Sequence, residues 1–202
     1  DRIYKQSSIN QLIFAVGMFA LIWLNFTDGV FTFKLQSGYI DAKPVFLFIG
    51  LMRIIDMGTG INSQIISSST KWRFEFTTGL ILIAITLPLN YILTKYYFGI
   101  KGPAIANLFS FTVYNAIRYW FLYKKFNLQP FTVKTIITVF IGIAAFYICY
   151  FLFDQYTGFI WIIIRSCTFI LLYGFATLTF NLSSDILPVW QTILKKTGIR
   201  KE

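Results

Sequence analysis

Hydrophobic residues run through this chain in long stretches rather than in alternation, and polar residues gather in the short gaps between them. Six stretches approach the roughly 20 apolar residues that a helix needs to cross a bilayer. They are residues 9–26, 45–66, 76–93, 103–123, 133–153 and 159–180. The first is the least apolar, with Asn10 and Gln11 near its start. Length and continuity predict helices. A spanning backbone must satisfy its own hydrogen bonds, and a barrel would show short alternating segments instead. The expected fold is all-α: a bundle of six transmembrane helices crossing in alternating directions, followed by a short C-terminal amphipathic helix.

That last helix is expected in a cytoplasmic tail, residues 184–202. Ser184 and Asp185 are placed to cap it, and Ile186, Leu187, Trp190, Ile193 and Leu194 recur at helical spacing. Lys195, Lys196, Arg200 and Lys201 follow, suited to anionic headgroups. No repeat or linker divides the chain, so residues 1–202 are expected to form one transmembrane lobe. Asp1 stands where a methionine would open a complete chain, and the lobe is expected to be a fragment of a longer protein.

Composition agrees with the pattern: 56% hydrophobic, 20% aromatic and only 13% charged, where soluble domains carry about a quarter charged residues. The net charge of +10 would suggest nucleic acid in a soluble protein, but here the cations lie between apolar runs and report topology. No nucleic-acid partner is expected. With the N-terminus inside, the inner segments hold Arg2, Lys5, Lys71, Arg73, Arg118, Lys124, Lys125, Lys134 and the four tail cations, against Lys34, Lys43, Lys95 and Lys101 outside. Both termini are therefore expected in the cytoplasm. Trp23, Tyr96, Tyr97, Tyr156 and Trp161 fall near the outer interface, and Trp72, Tyr119, Trp120 and Tyr123 near the inner one.

Catalytic chemistry finds little to work with. There is no histidine, and the two cysteines, Cys149 and Cys167, lie inside apolar runs where they read as buried core residues. No phosphate loop, paired-carboxylate site or acidic metal motif occurs, so an enzyme is not expected.

The informative polar residues sit where a membrane disfavours them. In the second stretch Arg53, Asp56, Gly60, Ser63, Gln64 and Ser67 fall on one stripe about 100° wide if the helix is continuous. A charge at mid-bilayer costs about 2.5–3.5 kcal/mol on insertion scales, so this stripe should line a cavity or pair internally. Arg53 and Asp56, three apart, can pair; Asp56 can alternatively exchange a coupling cation, H+ or Na+. Pro103, Asn107, Ser110, Tyr114 and Arg118 form a weaker stripe on the fourth stretch, with Arg118 near enough to the inner end to snorkel. Arg53, Asp56, Gln64, Asn107 and Arg118 are the candidate substrate-binding residues. Pro88 removes a donor inside the third stretch, frees the carbonyl of Ala84 and is the candidate hinge. Arg165 is expected to snorkel outward or meet Asp154, while Asp28 and Asp41 are assigned to the first outer loop without a partner.

The runs GINSQIISSS, TKWRFEF, LPLNYIL, YYFGIKGPAIANLFS and YNAIRYWFLYKKF resemble the C-terminal part of a bacterial O-antigen type oligosaccharide flippase, in the superfamily that includes multidrug and toxin extruders. Asn90, Gly99, Ile100, Gly102, Ala104, Ile105 and Ala106 carry the best-defined part of the likeness. Pro103 departs from it where the family has alanine. The resemblance implies two helical lobes around a central cavity, this chain forming the second against an N-terminal lobe of the same protein. It also implies alternating-access transport of an undecaprenyl-pyrophosphate-linked oligosaccharide across the bacterial inner membrane, for surface polysaccharide biosynthesis. Alternatives are a drug or small-solute exporter of the same superfamily, a membrane-embedded glycosyl transferase or polymerase, and a structural anchor.

Overall fold

A computed structural model of the chain describes residues 1–36, 38–183 and 185; most of the expected tail helix, 184–202, lies outside the described residues. Among those described there are helices and no strands. The order is α1 (Arg2–Thr32), a single turn α2 (Gly38–Asp41), α3 (Lys43–Gly58), α4 (Asn62–Ser67), α5 (Trp72–Ile92), a π-helical segment (Leu93–Phe98), a 3-10 turn (Gly99–Lys101), α6 (Gly102–Phe126), α7 (Val133–Phe153) and α8 (Phe159–Thr179).

Local chemistry accounts for several boundaries. Asn127 takes the left-handed conformation (φ 51°) that ends α6, and the Leu128 amide closes back on the carbonyl of Leu122. Thr132 and Thr135 form a reciprocal capping box at the start of α7. The first expected stretch, 9–26, is longer in the structure because its flanking polar residues find partners without leaving the helix. Asn25 donates to the carbonyl of Leu21 and to Ser166, and Asp28 accepts from Thr32 one turn on. Asp28 therefore belongs to α1 and not to a loop.

The second stretch departs most from expectation. A continuous helix over 45–66 does not form: α3 stops at Gly58 and α4 starts at Asn62. Gly60 adopts φ 71° beside the backbone of Ser8 on α1; a Cβ there would lie 3.1 Å from the Ser8 Cα. The Ser8 hydroxyl donates to the freed carbonyl of Gly58. Helix-breaking backbone at membrane depth is tolerated where it is buried in protein and its polar groups are satisfied, and Ser8 supplies both conditions.

Helix α1 is the hub, packing against α3, α7 and α8, while α6 packs between α3 and α5 and also meets α4. Its interface with α7 and α8 is an apolar core containing Leu12, Val16, Ala20, Cys149, Phe169 and Tyr173. Gly142 allows α7 to approach Val16 with no side chain between them. A smaller cluster, Tyr4, Ile66 and Leu122, sits where α1, α4 and α6 meet.

The outer faces remain apolar: Leu87, Phe140, Phe151, Leu171 and Phe175 are all strongly exposed. Cys167 is also exposed, on the outer face of α8, and so is not the core residue its apolar surroundings suggested. Arg2–Thr32, Trp72–Phe126, Val133–Phe153 and Phe159–Thr179 are long and apolar enough to cross a membrane. The second of these contains both α5 and α6, folded back on each other. Helix α3, at 16 residues, is shorter than the length needed to cross alone. Such surfaces on such helices belong in lipid.

Candidate functional site

The break after α3 points its polar groups at α6. The Asn115 amide donates to Asp56 Oδ1 at 3.0 Å, and the Thr59 hydroxyl reaches both the Asp56 carbonyl (2.8 Å) and the Asn115 Oδ1 (3.2 Å). Close by, Glu75 of α5 gathers three helices. It accepts from Arg118 Nη2 at 2.6 Å and Nε at 3.1 Å, from the Ser63 hydroxyl of α4 at 2.7 Å, and from the Tyr114 hydroxyl at 3.2 Å. The Arg118 guanidinium also lies 4.3 Å from the Tyr114 ring centroid. Tyr4 of α1 donates to Asn62 at the start of α4. These contacts tie α4, α5 and α6 together around a two-pronged carboxylate–guanidinium pair, the geometry that makes Arg–carboxylate bonds strong and directional.

The expected residues divide. Asp56 and Arg118 both enter this network, on neighbouring turns of α3 and α6. Arg118 does not snorkel: its side chain is 5% exposed and Glu75 holds it. Arg53 pairs only loosely with Asp56, at 3.7 Å, and its side chain is 62% exposed. Gln64 is exposed on α4, turned from the stripe because the break at Gly60 interrupts the 100° progression on which the stripe depends. Asn107 is half-buried about two turns up α6 from Tyr114, outside the network. Pro88 lies inside α5 on an exposed face, with the π-helical segment beginning five residues later.

Sequence reasoning passed over Glu75, Asn115, Asn62 and Tyr4. Glu75 carried one usable signal, being a lone acid in the cation-rich run Lys71–Trp72–Arg73 onward. Asn115 and Tyr4 had none.

A second charged pair lies at the opposite end of the bundle. Arg165 meets Asp28 of α1 at 3.5 Å, each side chain only 8% exposed. Its Nη2 donates to the carbonyls of Phe153 and Tyr156, and its Nη1 faces that of Leu24. Asp28 in turn accepts from the Gly158 amide. Arg165 thus neither snorkels nor pairs with Asp154; it staples the α7–α8 turn to α1. Among the described residues no cluster of acids and cysteines stands close enough to hold a metal ion.

Fold and site together define a polytopic helical membrane protein with a charged network built on a broken helix. Compared with protein-family models, curated proteins and solved structures, the chain matches none.

Proposed function

We propose that the protein is part of a flippase that moves an undecaprenyl-pyrophosphate-linked oligosaccharide across the bacterial inner membrane by alternating access. In this reading α3 and α4 together make one crossing, the chain crosses six times, and both termini face the cytoplasm. The substrate class rests on the resemblance of the GINSQIISSS to YNAIRYWFLYKKF segments to oligosaccharide flippases. One observation supports it from the structure. Arg53 stands about ten residues into α3, near mid-membrane depth by helical rise, yet is mostly uncovered by this chain and held only at 3.7 Å by Asp56.

A guanidinium at that depth demands an anionic or aqueous partner. A pyrophosphate meets that demand, delivered into a cavity closed on its other side by an N-terminal lobe. Asp56, bonded to Asn115, tunes Arg53 or exchanges the coupling cation, and Pro88 in α5 is the hinge of the motion. Gln64 and Asn107 offer amides to the sugars, and the buried Arg118 acts by holding α6 to α5 and α4.

The test is surface polysaccharide in cells whose only copy of the full-length protein carries Arg53→Ala, with membrane protein levels measured in parallel. Loss of polysaccharide at normal protein level is expected. Undiminished polysaccharide sinks the role of Arg53, and a chain that restores drug resistance but not polysaccharide belongs with the small-solute exporters.

A further inference from the structure

At the end of the bundle remote from the Glu75 network, α1, α3, α7, the α7–α8 turn and α8 line an open cavity of about 530 Å³. Four charged residues line it, two of each sign: Lys43, Arg165, Asp28 and Asp154. Two of them are already spent. Asp28 and Arg165 pair with each other, and Arg165 also faces three backbone carbonyls, so they form a neutral floor.

The other two are available. Lys43 Nζ has a hydroxyl acceptor, Thr27 at 2.8 Å, and lies 4.9 Å over the Trp23 ring, but it has no carboxylate partner among the described residues. Asp154 is exposed at the rim, with no bonded partner among the described residues. Tyr150 and Tyr156 also line the cavity, each nearly half exposed.

We propose that this cavity binds a neutral saccharide. An anion would face Asp154 and gain only Lys43, since the donors of Arg165 are engaged. A cation would face Lys43. A purely apolar ligand would strip water from both charges without replacing it. A sugar satisfies both charges at once: its hydroxyls donate to Asp154 and accept from Lys43 and the tyrosine hydroxyls, and its C–H faces stack on the tyrosine rings. The volume lies in the range of small-molecule sites lined by aromatic rings with a few polar groups, roughly 300–1,000 Å³, and accommodates a short saccharide. The site is separate from Arg53 and does not depend on the flippase reading.

Trp161 stacks on Tyr156 at 4.1 Å, so its fluorescence reports occupancy. The experiment titrates the full chain in nanodiscs with maltotriose, cellotriose and chitotriose, with sodium chloride and glycerophosphoethanolamine as competing probes. At least one trisaccharide is expected to give a saturable change, weakened about ten-fold or more (about 1.4 kcal/mol) by Asp154→Asn and by Tyr156→Ala, with Arg53→Ala unchanged.

The proposal is overturned if no trisaccharide binds, if binding is indifferent to both variants, or if sodium or glycerophosphoethanolamine saturates the signal and displaces the sugar. The first of these results leaves the flippase reading standing. Loss of polysaccharide export without loss of this titration, or the reverse, separates the two.

Discussion

Arg118 and Arg53 carry the same charge and are held in opposite ways. Arg118 is buried in a two-pronged pair with Glu75, and removing either partner strands a charge in a low-dielectric interior. Glu75→Gln or Arg118→Met is expected to lower stability by about 3–5 kcal/mol, and the double variant by clearly less than the sum, as read from thermal unfolding in detergent. Arg53 is exposed and loosely paired, so Arg53→Ala and Asp56→Ala should couple by under about 1 kcal/mol in the same assay. At the other pair, Asp28→Asn keeps an oxygen for Gly158 and Thr32. Arg165→Leu leaves the Tyr156 carbonyl without its donor and the buried Asp28 carboxylate without its cation. Arg165→Leu is therefore expected to be the more destabilising of the two by thermal unfolding.

The element that decides the site is the interruption between α3 and α4. It exists because Gly60 accepts φ 71° and because Ser8 of α1 both crowds the glycine and bonds the loose carbonyl of Gly58. Gly60→Ala is expected to cost about 1–3 kcal/mol and to weaken the Ser63–Glu75 contact by shifting α4. Gly79→Ala on α5 makes a fair control, since a Cβ there meets nothing within 4 Å, and by relieving a mid-helix glycine it should leave unfolding unchanged or shift it slightly upward. Glycine within an apolar run was visible in the sequence; that this one breaks the helix was not. The same Gly-Thr-Gly spacing fits a continuous transmembrane helix unless a neighbouring helix supplies bonds for the broken turn. The stripe through Gln64 and Ser67 failed for that reason.

At the scale of the whole molecule, α1 and the α3–α4 pair, α5 and α6, and α7 and α8 run antiparallel. The α5–α6 turn and the α6–α7 connection therefore lie at opposite ends. With Cys149 and Cys167 replaced, Ile100→Cys should label with a membrane-impermeant maleimide in intact cells, and Gln129→Cys only after permeabilisation. Labelling of both from outside would refute the proposed topology. The exposed Arg53 and the apolar faces of α5 and α7 leave room for lipid and for a second lobe, and the labelling pattern is independent of which of these covers them.

By itself the sequence determined that the protein is helical and belongs in a membrane. It also located α7 to the residue and α5, α6 and α8 to within a few residues, because the length of an apolar run is a local property set by bilayer thickness. It likewise singled out Arg53, Asp56 and Arg118, since charge inside such a run is costly wherever it occurs. Only the tertiary structure decided which charges are satisfied. The partners of Arg118 and Arg165 come from other helices, 43 and more than a hundred residues away, and helical periodicity carries no information about which faces of different helices meet. The break at Gly60 and the neutral cavity beneath Lys43 and Asp154 belong to the same category: each is a relation between helices.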